Sequence, residues 1–233
     1  MQGTRQVLIT GAAGNLGRAV AQVFLLQDAA LILVDRQHDA LVQAFGAANP
    51  SQRLIALDLL DRESVVRAVA DTLVHVHKID VLCHLAGGFH MGEAVHETSE
   101  AQWSGLLDLN VRTLLNIAAA VVPHMLARGA GRIVNVGAHS ARQGLANMGA
   151  YTAAKASVIR LTEAMSAELR ERGINVNCVL PTVLDTPQNR AAMPDAEPAR
   201  WVRPEDLAQV IAFLASDAAR AVHGVALPVT GLS

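Results

Sequence analysis

The opening segment restricts the fold most. VLIT (7–10) is a short apolar run that enters TGAAGNLG (10–17) without a spacer, and a helical pattern begins at once. A strand that turns this tightly into a helix commits the chain to strand–helix units, because the helix must pack back on the sheet it has left. The rest of the chain repeats the alternation. Apolar runs at 31–34, 54–57, 81–86, 132–136, 175–180 and 225–229 read as strands. Helical stretches lie near 15–27, 61–77, 100–128, 150–172 and 204–216. Continuous apolar strands belong to parallel sheets covered on both faces. The expectation is one α/β domain over 1–233, a doubly wound parallel sheet of seven strands flanked by helices. With 52% hydrophobic but only 3% aromatic residues, its core must be aliphatic.

Charge narrows the partners. The net charge is -2 and no Lys/Arg run occurs, which argues against nucleic acid and anionic membrane surfaces. No apolar stretch reads as a membrane span, and MQGTRQVLIT lacks a signal-peptide layout, so a cytoplasmic protein is expected. Cys83 and Cys178 sit in strand-like runs and read as buried free thiols. The nine histidines are scattered, so no metal site is assigned.

The glycines at 11, 14 and 17 have separate uses. Gly11 permits the tight turn, Gly14 lets backbone approach a pyrophosphate, and Gly17 lets the helix pack closely. Helix N–H groups at Asn15 and Leu16 then face the negative charge. Asp35 closes the second strand, 18 residues after Gly17, where an acid would meet an adenosine ribose. Its carboxylate favours NAD(H) over NADP(H), although Arg36 beside it is able to bind a 2′-phosphate. Asp58, followed by Leu59, is placed either to touch adenine or to cap a helix. Tyr151 and Lys155 are four apart in a helical segment and share a face. A nearby ammonium would lower the phenol pKa from its usual ~10.

These pieces together resemble the short-chain dehydrogenase/reductase family over the whole chain. The matching motifs are TGAAGNLG, Asp35, Asp58, HLAGG (84–88), Asn110, YTAAK (151–155) and PTVLDT (181–186). The resemblance implies a Rossmann fold and an NAD(P)-dependent oxidoreductase acting on a small organic substrate. It implies Tyr151 as general acid/base, Lys155 as ribose holder and Asn110 as support of a relay water. It also implies that Ala86, Gly87, Gly88, Pro181, Thr182, Val183 and Thr186 line the cofactor, and that the protein is a homodimer or homotetramer.

The departures are as informative. The family's serine, thirteen residues before the tyrosine, is here Ala138. Losing such a donor costs on the order of 10²–10³ in rate. Ser140 would share a face with Ala138 if the strand continued, and could replace the donor. Alternatively the substrate needs no serine. Gly137-Ala138, Ala86-Gly87-Gly88 and VLPTVLDTPQNRAAMPDA (179–196) are similar to the dihydropteridine reductase-like branch, which reduces a quinonoid ring. A third reading is a non-catalytic dinucleotide sensor, which would have no use for Tyr151, Lys155 and Asn110 together. The segment 185–201 reads as a flap over the strand ends, with Met193 and Trp201 as candidate substrate contacts.

Overall fold

The computed structural model describes residues 4–233. Seven strands form one parallel sheet: β1 (Gln6–Thr10), β2 (Ala30–Asp35), β3 (Gln52–Ala56), β4 (Val81–His84), β5 (Gly131–Val136), β6 (Ile174–Pro181) and β7 (Ala226–Val229). Their order is β3-β2-β1-β4-β5-β6-β7, every pairing parallel. The chain leaves β1 in one direction and later returns beside it with β4. The carboxyl ends of these two strands therefore flank the crevice where such sheets take their ligands.

Among the described residues eight α-helices accompany the sheet: α1 (Asn15–Leu25), α2 (His38–Phe45), α3 (Arg62–Val76), α4 (Glu100–Leu107), α5 (Thr113–Arg128), α6 (Gly149–Leu169), α7 (Pro187–Ala192) and α8 (Pro204–Leu214). Alternate strand residues point to opposite sides. Val7, Ile9, Leu33 and Cys83 face α1 and α8, while Leu8, Ile32, Leu82 and Ile133 face α3 and α5. Phe24 is the one aromatic among the largest fully buried side chains, as the composition requires.

Three features depart from the sequence expectation. The stretch 100–128 is helical throughout, but a π-helical turn at Asp108–Arg112 divides it. This run, Glu100–Arg128, is long and apolar enough to cross a membrane by length and composition, contrary to expectation. Here one side of it packs on the sheet, with Ile117, Val121 and Met125 fully buried. Helix α2 was not foreseen, and its only buried residue, Leu41, leaves little periodicity to detect. The flap contains α7, capped by Thr186 and opened by Pro187.

Strand β6 is buried along its whole length despite two asparagines. Asn175 Nδ2 donates to Val222 O at 2.9 Å, and Asn177 Nδ2 to the same carbonyl at 2.9 Å. Val225 N donates to Asn177 Oδ1 at 3.1 Å. These bonds satisfy buried amides and anchor the segment leading into β7.

Candidate active site

Gly11 lies in the left-handed region at φ +65°, and a Cβ there would stand 3.0 Å from the Ala86 backbone nitrogen. The loop after β1 thus presses on the loop after β4. Spacing assigns Gly17 to helix–sheet packing, but a Cβ at Gly17 would meet Gly11 O at 2.3 Å and Ala12 O at 2.5 Å. The close approach is to carbonyls of its own loop. Gly14 is exposed and meets only Gly11 O, at 3.3 Å. As N-cap of α1 it offers no side chain, so the first-turn N–H groups of Asn15, Leu16 and Gly17 are left for an anion.

Asp35 ends β2 and braces this loop. Its Oδ2 accepts from Ala13 N at 3.0 Å and its Oδ1 from Arg36 N at 2.8 Å. Asp58 is exposed and accepts from Leu60 N at 2.9 Å, whereas Leu59 is buried. The cap of α3 is Asp61, which accepts from Ser64 N at 3.0 Å, so Asp58 is not the helix cap.

On the other side of the crevice three side chains converge. Asn110 sits in the π-helical turn, 1% exposed. Its Oδ1 accepts from Gly88 N at 3.1 Å and its Nδ2 donates to Gly88 O at 3.1 Å and Leu106 O at 3.0 Å. Lys155 Nζ donates to Val136 O at 2.9 Å. A Cβ on Gly87 would stand 2.7 Å from Asn110 Oδ1 and 3.1 Å from Lys155 Nζ, so both groups meet at this glycine. A π-helical turn re-aims side chains and is common at functional sites.

Tyr151 lies one turn before Lys155 on α6, with the Phe89 ring edge-on at 4.8 Å. Burial pushes its phenol up to about 12. This overturns the expected lowering by Lys155. Desolvation governs the phenol, and the lysine is itself desolvated, pushed down to about 8 with Cys178 opposing weakly. Burial likewise raises Cys83 to about 12 and Cys178 to about 11, so both stay unreactive thiols.

His84 stands where the family pattern has asparagine. Leu85 N and Ala86 N donate to Thr10 Oγ1 at 3.2 and 3.3 Å, so the threonine proton goes to His84 Nδ1 at 2.9 Å. His84 Nε2 then carries its proton and faces Thr113 Oγ1 at 3.4 Å, which donates to Leu109 O at 2.8 Å. Burial, reinforced by the Lys155 charge, pushes this imidazole down to about 3. A neutral histidine therefore ties the ends of β1 and β4 to the turn that carries Asn110. In the sequence His84 stands only within the HLAGG motif, and neither Thr10 nor Thr113 is singled out.

Ala138 is buried in an apolar cluster with Leu114, Val158, Ile159 and Leu180, and Tyr151 packs against it. Strand β5 ends at Val136, and His139–Arg142 form a 3-10 turn. Ser140 therefore does not share a strand face with Ala138, because the alternation stops first. Beyond β6, Pro181 is buried, and Thr182 Oγ1 donates to Thr230 O at 3.0 Å. Val183 O accepts from Val202 N at 3.0 Å. Thr186 Oγ1 accepts from Asn189 N at 3.2 Å, and Gln188 Oε1 accepts from Asn15 Nδ2 at 2.8 Å. Met193 is 37% exposed, while Trp201, at the end of the flap, is 8% exposed.

Known proteins resemble this chain over nearly its whole length. Residues 5–197 match the family described as short chain dehydrogenase. The chain is 33% identical over 237 residues to a cis-4-hydroxycyclohexanecarboxylate dehydrogenase of Sinomonas cyclohexanicum, spanning 97% of this chain and 95% of that one. It is 31% identical over 234 residues to an NAD-dependent glycerol dehydrogenase of Listeria innocua, spanning 96% and 91%. Its fold superimposes on an NAD+-bound xylitol dehydrogenase with a TM-score of 0.90 at 25% identity, covering 99% and 100%.

Proposed function

Because the chain belongs to the short-chain dehydrogenase/reductase family, we propose that it interconverts small secondary alcohols and ketones, preferring NAD(H) to NADP(H). Family membership makes it an NAD(P)-dependent oxidoreductase. The residues fit a dinucleotide. The first turn of α1 has no side-chain cap, Asp35 closes β2 beside the loop, and Gly87 leaves the approach to Lys155 open. When bound, the nicotinamide supplies or takes the hydride.

The protein's own part is proton handling and positioning. The Tyr151 phenol, raised to about 12 by burial, keeps its proton at neutral pH and gives it to a carbonyl oxygen. Lys155 holds one ammonium proton on Val136 O and has two others for a ribose hydroxyl. Asn110 fixes Gly88 and supports a relay water. Asp35 meets the ribose, Asp58 and Leu59 border the adenine, and Ala86, Pro181, Thr182, Val183 and Thr186 line the nicotinamide side. The flap 185–201 closes over the substrate, with Met193 at its edge. The protein works in the cytoplasm as a homodimer or homotetramer, paired through α4, α5 and α6. Trp103, Leu109 and Leu115, 37%, 42% and 46% exposed, would be covered there.

The observation that carries this reading is the meeting of Asn110, Lys155 and Gly87 with Tyr151 one helical turn away. The test is NAD+ reduction with small secondary alcohols by the wild type and Tyr151→Phe. The variant should lose roughly 10³-fold in kcat with NADH affinity unchanged. Retained turnover in the variant would overturn the role of Tyr151. A second reading is favoured by Ala138, which offers no hydroxyl beside the tyrosine. The substrate would then be a quinonoid dihydropterin, as in the dihydropteridine reductase-like branch. NADH oxidation with that acceptor, and none with simple ketones, would select it.

A further inference from the structure

We propose that Glu93 reads a hydroxyl of the substrate, and that the substrate is accordingly a neutral polyhydroxy alcohol or hydroxyketone. This inference rests on the dehydrogenase reading above. Tyr151 borders a shallow, solvent-open depression, lined also by His90, Glu93, Gln102 and Asn147. Three of these side chains form one hydrogen-bonded group. Gln102 Oε1 accepts from Ser99 N at 3.0 Å and from Ser99 Oγ at 2.8 Å. Those bonds fix the amide's orientation and aim its NH₂ at Glu93 Oε1, 2.7 Å away. His90 Nε2 lies 3.0 Å from Glu93 Oε2. The bond from Gln102, with lesser help from His90, holds the Glu93 carboxyl below its ordinary range, so it is an anion.

An ionised carboxylate has roughly four acceptor positions. Gln102 and His90 take part of this capacity. The Glu93 side chain remains 34% exposed, so acceptor capacity remains beside the tyrosine. Among the described residues lining the depression there is no lysine or arginine. A substrate carboxylate or phosphate would meet an anion there with no cation to pair with. A hydroxyl is the group that suits the site, because it donates to Glu93. Phe89 and Met91, 60% and 48% exposed, supply apolar surface beside this group for the carbon chain. Glu93 thus discriminates among alcohols, and Tyr151 does the proton transfer on whichever alcohol is bound.

Three four-carbon probes test this: 2-butanol, 2,3-butanediol and 3-hydroxybutyrate. The wild type should use the diol best and the carboxylate worst. Glu93→Gln should raise KM for the diol roughly tenfold with kcat nearly unchanged, leave 2-butanol within about twofold, and improve 3-hydroxybutyrate. The 2-butanol arm separates recognition from damage to the fold, since a structural role would affect both alcohols alike. Equal changes for 2-butanol and the diol, or a wild type that prefers the carboxylate, would overturn the role of Glu93 while leaving the dehydrogenase reading intact. A wild type that binds NADH and oxidises none of the three would overturn both.

Discussion

On the β1–β2 side of the crevice the polar groups at the strand ends are backbone amides, shaped by glycines and braced by Asp35. On the β4–β5 side they are the side chains of Asn110, from the π-helical turn, and of Tyr151 and Lys155, from α6, gathered at the backbone of Gly87 after β4 and of Val136 at the end of β5. The first side depends on where the chain can pass. The second depends on how far desolvation shifts each titratable group. The two sides should therefore fail differently when altered.

The largest effect separates two glycines of one loop. At Gly17 a Cβ would lie 2.3 Å from a backbone carbonyl, and both partners are held by the turn. Gly17→Ala should cost about 2–3 kcal/mol of stability, the scale of overpacking against atoms that cannot yield. At Gly14 the nearest atom is 3.3 Å away and the backbone is not strained. That atom is the same Gly11 carbonyl, which need give only by a few tenths of an ångström, so Gly14→Ala should lower Tm much less than Gly17→Ala while weakening NADH binding. Thermal melts with and without NADH check both variants. Equal losses of Tm would dissolve the distinction between a glycine the fold needs and one the ligand needs.

The next effect belongs to the side-chain half. Lys155 titrates near 8 because of its burial, against 10.5 when free. Its ammonium is present below pH 8 and is lost above it. Tyr151 keeps its proton until about 12 and His84 is neutral above about 3, so neither titrates near neutrality. Ketone reduction should therefore run level near pH 7 and fall about tenfold per unit well above pH 8. A kcat/KM profile level to pH 10 would refute this. Stability moves the other way. A base held below its unfolded pKa destabilises the fold below about pH 8, and that penalty is relieved as pH rises toward 10.5. Lys155→Met should thus raise Tm at pH 7 more than at pH 10.

What the sequence could disclose follows the same division. TGAAGNLG is readable because turn, φ and helix start are properties of eight consecutive residues. Tyr151 and Lys155 are readable because a helix puts residues four apart on one face. Asn110 came only by resemblance, since nothing local announces a π-helical turn. The direction of the Tyr151 shift was misjudged for a physical reason. Charge proximity can be inferred from spacing, but burial by residues far away in sequence, such as Leu114 and Leu180, cannot. The chain from Thr10 through His84 to Thr113 was hidden similarly, because it joins two strand ends and a helix. Ser140 falls on the face of Ala138 only if β5 continues past Val136, and the chain instead enters a 3-10 turn at His139.

The smallest effect tests whether the two halves are coupled. Asn15 donates to Gln188 of α7 at 2.8 Å, and Arg18 donates to Asn15 Oδ1 at 2.9 Å. The loop after β1 is thus joined to the 185–201 segment through one exposed amide pair. A bond of this kind is worth about 1 kcal/mol or less, so it adjusts rates without deciding affinity. Gln188→Ala should speed NADH release roughly threefold, with association rising in step and Kd shifting by less than about twofold. Stopped-flow fluorescence of bound NADH measures both rates. If release is unchanged, the flap moves independently of the loop. If release slows, the pair holds the flap off the bound dinucleotide, and the backbone-built half of the crevice controls access to the side-chain half in the opposite sense.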